Sequence, residues 1–495
     1  MGLLVDRDSF ENHEYARFSE RLIESLAALE RTLERPGFGE GPQTIGAELE
    51  LHLVDAAGYA VPDNLGVLER CRDRRLTVEI DRFNIELNLT PVPLSGRPFE
   101  ALARELNEAI ACVHGASGTL GIRTVAVGIL PTLRPEDVGP SALTPLPRYR
   151  ALDAGIRHSR GGVPFRIAIG GEDVLQTEWE TVTLEGANTS LQFHLRVPPS
   201  RFAEVYNAAQ IATAPVLAVS ANSPFLLGKR LWDETRVAVF RQATDDRGDL
   251  PPNWTPPARV SFGRGWVRRG AWELFAESVA LHTPLIPVLG PSSPMEAVRR
   301  GEVPRLDELR LHNGTIWNWN RPVYDPGYGG HLRIEFRALP AGPTPIDMMA
   351  NGAFILGLTL ALAPRVESML PGLPFRLARE NFHRAARDGI DADMLWPERT
   401  APSPRPVKVI DLLPQLIELA DEGLRGAGVD PVEISRLLGL IRDRAAARMT
   451  GARWQRQTLA AYEVNLSRED ALSRMLHRYI ELSDEGHPVH EWPVG

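Results

Sequence analysis

Four segments alternate strictly in steps of two, with acids, amides and bases on one side and apolar residues on the other. In QTIGAELELHLVD, Glu48 and Glu50 are two residues apart, while Ile45, Ala47, Leu49, Leu51 and Leu53 point the opposite way. On a strand that spacing puts the two carboxylates about 6.6 Å apart along one face. In NIELNL, Glu86 and Asn88 oppose Ile85, Leu87 and Leu89. In SLQFHLRV, Gln192, His194 and Arg196 oppose Leu191, Phe193 and Leu195. In LRIEFR, Arg333, Glu335 and Arg337 oppose Leu332, Ile334 and Phe336. Such faces either meet bulk water, as one side of an antiparallel sheet commonly does, or converge on something. A solvated face ordinarily mixes Lys, Thr and Ser, whereas these carry carboxylates, amides and an imidazole. If they converge, two like charges at 4 Å repel by about 4 kcal/mol at an effective dielectric of roughly 20. Protonation or bound cations must relieve that repulsion. A carboxylate-rich ligand set favours Mg²⁺ or Mn²⁺ over Zn²⁺, and an open magnesium shell is usually completed by substrate phosphate. Arg333 and Arg337 suit phosphate oxygens. The pattern therefore points to metal-assisted phosphate chemistry on a sheet.

Two further segments offer binding groups. In LHNGTIWNWNRPVYD (311–325), His312, Thr315, Trp317 and Arg321 read as walls of a substrate pocket, or Trp317 and Trp319 as loop anchors. In WDETRVAVFR, Arg236 and Arg241 are five residues apart and do not share one helical face. One of them reads as a bidentate partner for a substrate carboxylate, the other as a surface residue.

Composition narrows the class. The chain has 495 residues and a net charge of −9, which argues against a general nucleic-acid binder. It has only two lysines, Lys229 and Lys408, and no G-x-x-x-x-G-K-[ST] loop, so a Walker-type nucleotide site is excluded. Phosphate must then be handled by arginine and metal ions. The two cysteines, Cys71 and Cys112, form neither a disulfide framework nor a zinc site and are expected as buried small apolar groups. The first residues, MGLLVDRDSF, do not read as a signal peptide or a myristoylation site. The longest apolar run, near 353–364, is too short to span a bilayer. A cytoplasmic protein is expected.

The elements that must position these groups are legible as periodicity. Helices are expected at 9–35, 97–114, about 200–219, 345–362, 375–388, 408–424, 431–449 and 467–483. Strands are expected at 43–55, 120–130, 188–198 and 331–340, and 76–91 reads as a strand pair or one bent strand. Pro-rich loops occupy 139–147 and 251–257, and APSPRPV (401–407) reads as a linker. The picture is an α+β body (1–400) built on an antiparallel sheet, followed by a helical section (401–495) packed on it.

The ordered set IGAELEL, EIDRFNIELNLTP, SLQFHLRV, SANSPFLLG, HNGTIW, LRIEFRALP and ARENFHRAARDGIDA resembles the glutamate–cysteine ligase family of the carboxylate–amine ligase type. The resemblance runs from about 40 to 395, and more weakly through WQRQ (454–457). It implies a glutamine-synthetase-like fold whose antiparallel sheet cradles the active site. It also implies ATP and two or more Mg²⁺ (or Mn²⁺) ions. The first substrate's side-chain carboxylate would be phosphorylated to an acyl phosphate, which an amine then attacks; cysteine is the family's usual acceptor.

By that resemblance Glu48, Glu50, Glu79, Glu86, His194 and Glu335 would be metal ligands, with Glu50, Glu335 and Arg337 carrying catalysis. Glu79 and Glu86 differ in parity, so a bend around Asp81–Asn84 must aim both inward. Arg337, with Arg333, would contact ATP phosphate. Arg236 would hold a substrate carboxylate, and Thr315, Trp317, Arg321 and Gln192 would contact substrate. The chain departs from the family where Gln192 replaces the first histidine of His-x-His and where Pro340 stands in place of an Asp. Expected partners are small molecules (glutamate, an amine, ATP) rather than nucleic acid or membrane, and a homo-oligomer is compatible with the pattern. Rival chemistries are the same ligation with another acceptor, a metal-dependent amidohydrolase on the same Glu/His cluster, and a non-catalytic ATP-binding relative.

Overall fold

The computed structural model describes residues 3–248, 256–397 and 404–495. The expected N-terminal helix forms as α1 (Asn12–Leu33), burying Phe18, Leu22 and Leu29 on one stripe. The alternating segment after it is the eleven-residue strand β1 (Thr44–Val54). Its apolar set Ile45, Ala47, Leu49, Leu51 and Leu53 is almost fully buried, as period two requires. Helix α2 (Asn64–Cys71), which the sequence did not suggest, leads into strand β2 (Leu76–Val78) and strand β3 (Asn84–Asn88). The segment read as a strand pair or one bent strand is thus a pair, with Glu79 and Asp81 in the connection. Helix α3 (Pro98–Gly118) follows. In the stretch read as a strand over 120–130, only β4 (Arg123–Val125) joins a ladder.

The remaining sheet strands are β5 (Leu191–Val197), β6 (Asn320–Asp325) and β7 (His331–Phe336). The sheet runs β6–β7–β5–β1–β3–β2, with β4 and the short Val92–Pro93 segment pairing with opposite ends of β1. Every pairing in it is antiparallel. Its register decides the function. Glu50 lies opposite Glu86, and Glu48 opposite Asn88 on one side and Gln192 on the other. His194 lies opposite Glu335, which lies opposite Arg321. One-residue slips would send these groups into the core, so the buried apolar face holds the register.

That apolar face packs on helices. Helix α4 (Phe202–Ser220) is buried along nearly its whole length. After α5 (Arg236–Ala243) comes α6 (Pro345–Leu362), whose Gly352 rests against the Phe193 ring. The helical run Pro345–Gly372 is long and apolar enough to cross a membrane, with a mean hydropathy of 1.6, but 89% of that window is buried inside the chain. It is a core element. Helix α7 (Phe375–Asp388) precedes the C-terminal helices α8 (Val409–Gly426), α9 (Pro431–Ala447), α10 (Gly451–Glu463) and α11 (Arg468–Glu485). Helix α10 carries the WQRQ segment and was not among the helices expected from the sequence. In the segment read as a linker, 401–403 lie outside the described residues, and Arg405–Lys408 pairs as a strand with Asp393–Trp396. Residues 251–255 of the second Pro-rich loop also lie outside them.

Two contacts fasten the C-terminal helices to the body. Gly357 of α6 and Gly423 of α8 meet backbone to backbone, with no room for a Cβ on either. The buried Arg444 of α9 donates to Asp347 at 2.8 Å, to Asn351 at 2.6 Å and to the Val219 carbonyl at 3.1 Å. Removing one partner of such a pair strands a buried charge. Arg444→Met is expected to lower stability by about 3–5 kcal/mol, and pairing it with Asp347→Asn to recover part of that loss, as read by Tm and denaturant midpoints.

One expectation about side chains is corrected. Cys71 and Cys112 are only half-buried, and their sulfurs face each other 2.8 Å apart across α2 and α3.

Candidate active site

The polar face of the sheet gathers the six expected ligands into two groups of three. Glu48, His194 and Glu335 each offer an atom within 4.8 Å of the others, and so do Glu50, Glu79 and Glu86. Register explains the split. Adjacent strands β1, β5 and β7 supply the first trio, and β1, β3 and the β2–β3 connection the second. Glu48 and Glu50, two residues apart on β1, place the trios side by side.

Between the trios runs a network of fixed donors. Arg321 grips Glu335 with two bonds, 2.6 Å from Nε and 3.0 Å from Nη2. Arg337 Nη1 donates to Glu335 at 2.7 Å and also to Gln192. The Gln192 amide donates to Glu50 at 2.9 Å. Ser190 completes the Glu50 carboxylate, with its N–H at 2.6 Å and its hydroxyl at 3.0 Å. On β3, Asn88 donates to Glu86 at 2.7 Å.

The electrostatics differ between the trios. Burial alone would raise Glu335, but Arg321 and Arg337 hold it well below the usual carboxylate range. Burial is likewise outweighed at Glu48, where His194 lowers the carboxyl. The second trio is unbalanced. Burial, followed by repulsion from Glu86 and Glu50, raises Glu79 well above its ordinary value. Burial and the charges of Glu48 and Glu50 push Glu86 up to about 7. Glu50 is raised by burial, with Arg337 and Arg236 opposing.

Beside the first trio opens a cavity of about 610 Å³, lined by Glu48, Asn88, His194, Arg196, Tyr328 and Arg333 among others. Arg333 stands at its edge, paired with Asp325 at 3.0 Å.

Residues 44–403 match glutamate–cysteine ligase family 2. The chain belongs to that family. It is similar to the glutamate–cysteine ligase of Haloferax volcanii, 26% identical over 365 residues that cover 72% of this chain and 81% of that one. The fold is similar to the crystal structure of the glutamate–cysteine ligase from Francisella tularensis in complex with AMP. There the TM-score is 0.55 at 10% identity, over 92% of this chain and 91% of the other. The family makes this protein an ATP-dependent ligase, as the ordered motifs implied, and the fold is the expected α+β body on an antiparallel sheet.

Within the ligase, the donor set fits divalent metal ions. Five carboxylates and one imidazole are hard, oxygen-dominated ligands of the kind that hold Mg²⁺ or Mn²⁺. His194 is buried, yet neither ring nitrogen makes a hydrogen bond, although Nε2 lies 3.2 Å from Glu48. One imidazole facing two carboxylates is a three-donor set that fits a divalent cation.

Other expected site residues lie elsewhere. Arg236 is 2% exposed and does not reach the cavity. Its guanidinium is taken by Glu234 at 2.9 Å and by the Ala338 and Arg337 carbonyls at 3.1 and 3.2 Å. It braces the backbone of Arg337 rather than offering itself as a free carboxylate fork. Thr315 is also buried, donating to the His312 carbonyl at 2.7 Å and accepting from Arg259. His312 bonds the Ser278 carbonyl, and burial depresses its pKa to about 4. These two shape a turn instead of a pocket wall. Trp317 packs on Phe240 with ring centres 5.9 Å apart, the loop-anchor reading. Arg241 lines a separate cavity with Arg264 and Arg379.

The sequence reading missed Ser190 and Glu185. Ser190 sits one residue before β5 and shares the parity of Gln192 and His194, but a serine in that alternation was not singled out as a functional group. Glu185 lies in a short 3₁₀ turn (Val182–Ala187) with no periodicity to mark it. Burial and the nearby Glu50 push its carboxyl up to about 8.

Neutralising a crowded acid should trade function for stability. Glu79→Gln is expected to raise the Tm of the metal-free protein. The variant should also lose most of the Mg²⁺-induced Tm rise seen in the wild type and about 100-fold or more of turnover. Differential scanning fluorimetry with and without Mg²⁺, alongside turnover, checks this; a lower metal-free Tm would contradict the repulsion argument.

Proposed function

We propose that this ligase phosphorylates the side-chain carboxylate of glutamate with ATP and joins it to an amine, with L-cysteine the first acceptor and γ-glutamylcysteine the product. The observation that carries the reading is the pair of trios on one sheet face with Arg337 between them. The Glu48–His194–Glu335 trio and its 610 Å³ cavity are assigned to the triphosphate, and the Glu50–Glu79–Glu86 trio to the acid substrate. Mg²⁺ or Mn²⁺ held by these residues would supply charge neutralisation for phosphoryl transfer.

The chain's own groups do the rest. A carboxylate is a poor electrophile at neutral pH, so its oxygen must first accept the γ-phosphoryl group, with ADP leaving. Arg337 is assigned to the equatorial phosphoryl oxygens. Its guanidinium is already oriented by Glu335 and Gln192 and its backbone by Arg236, so little is left to reorganise in the transition state. Arg321 keeps Glu335 ionised. Arg333 and Arg196 are assigned to the outer phosphates. The acceptor's nitrogen then forms the C–N bond as the C–O bond to phosphate breaks, and inorganic phosphate leaves. Glu185, buried near Glu50 with its carboxyl raised to about 8, is assigned to the acceptor's side of the site as a hydrogen-bonding group. Residues 1–400 are read as the catalytic unit with 401–495 packed against it, and the cytoplasm as its compartment.

Purified enzyme with Mg-ATP, L-glutamate and a panel of amines should release one phosphate per amide formed, with mass detection showing glutamate plus amine less water. Amide hydrolysis without ATP would support the amidohydrolase instead, and ATP binding with no turnover on any pair a non-catalytic relative. Arg333→Ala is expected to raise the KM for ATP about 10-fold while kcat is largely kept, because its contact is made equally in ground and transition states. An unchanged KM would remove Arg333 from the nucleotide site.

A further inference from the structure

The two cysteines belong to different helices that pack on each other. Cys71 is the last residue of α2, followed by Arg72 in the left-handed conformation (φ 51°) that ends the helix. Cys112 lies within α3. Their sulfurs are 2.8 Å apart, closer than unbonded sulfurs ordinarily pack, and the Cys112 sulfur also faces the Cys71 carbonyl at 3.8 Å. Both residues are partly exposed rather than sealed in the core. A disulfide needs an S–S distance of about 2.05 Å, less than 1 Å of closure, which side-chain rotation supplies.

What lies between them matters. The 40 residues between Cys71 and Cys112 contain β2 and β3 together with Glu79 and Glu86, two members of the crowded trio. The start of this segment is already clipped to α3: Arg75 bonds Asp73 at 2.6 Å and the Glu105 carbonyl at 3.3 Å. A bond between the sulfurs would close this loop in the arrangement it already has.

We propose that Cys71 and Cys112 are a modification site, forming a reversible intramolecular disulfide that staples α2 to α3 and holds the segment bearing Glu79 and Glu86 in place. The oxidant is a low-molecular-weight disulfide. The Cys112 thiolate attacks one of its sulfurs, expelling one small thiolate and leaving a mixed disulfide on Cys112. The Cys71 sulfur then attacks the Cys112 sulfur. The Cys71–Cys112 bond forms, the mixed S–S bond breaks, and the second small thiol departs with the Cys71 proton. Two protein thiols are oxidised and one small disulfide is reduced to two thiols. The two sulfurs are equivalent in this scheme, since either can be the donor of their hydrogen bond, and the same balance holds if Cys71 attacks first. The inference does not depend on which acid and amine the enzyme joins.

The test uses the full-length enzyme incubated with oxidised glutathione and then with dithiothreitol. Oxidation should remove both free thiols, lower the intact mass by two hydrogen atoms and give a Cys71–Cys112 cross-linked peptide. It should also raise Tm by about 2–6 °C, reversed on reduction, with phosphate-release activity retained. Cys71→Ser and Cys112→Ser should each stop at a glutathione adduct on the remaining cysteine, neither gaining the Tm rise. A persistent glutathione adduct or an intermolecular dimer in the wild type would overturn the proposal. So would a cross-link that leaves Tm unchanged or abolishes activity.

Discussion

Carboxylate repulsion on one face of a sheet governs this molecule. Glu48, Glu50, Glu79, Glu86, Glu185 and Glu335 would be scattered and harmless in an unfolded chain. Antiparallel register concentrates them where water is scarce, and each must then be neutralised. The chain answers the problem twice, in different ways. Around Glu335 it supplies its own cations, Arg321 and Arg337, and the carboxyl stays ionised. Around Glu79 and Glu86 it supplies hydrogen-bond donors but no guanidinium, and those carboxyls are driven upward. The imbalance is a standing demand for external positive charge, which is what supports the proposed role of divalent cations in phosphoryl transfer.

The surroundings look like consequences of that demand. Around the site Arg236, Arg321 and Arg337 are each paired with a buried carboxylate. Arg236 is sacrificed to hold the Arg337 backbone, and Glu234 is buried beside it to keep the account neutral. The helices behind the sheet do the opposite work. Helices α4 and α6 offer almost nothing but apolar surface, and glycines at 352, 357 and 423 let backbones and rings approach closely. A rigid apolar underside is what lets a sheet keep like charges together without slipping register. The C-terminal helices extend this underside, tied in through Arg444 and Asp347, so the tail of the chain belongs to the same cooperative structure as the site.

The half of the site that alternation marks was readable in advance. Period two placed Glu48, Glu50, Glu86, His194, Glu335 and Arg337 on polar faces, because an apolar face opposite each one leaves no other choice. Glu79 came only through likeness to the family: it sits in the β2–β3 connection, where no periodicity reaches. Glu185 escaped for the same reason, whereas Ser190 lay in the alternation and was passed over because of its residue type. Arg236, Thr315 and His312 show a different limit, since residue type says nothing about whether a donor is already taken. Each turned out to be bonded to backbone carbonyls or buried partners, an outcome set by segments far away in the chain.

By itself the sequence determined the local grammar: which stretches are strands, which face of each is apolar, and that several chelating groups share the polar faces. Those facts depend on nearest neighbours, and the steric period of the backbone is enough to read them. Tertiary structure alone decided strand order and register, and with them the sorting of six ligands into two trios, the arginines that remain free, and the meeting of two cysteines 41 positions apart. Such choices rest on contacts between distant segments, whose free energies no local pattern encodes.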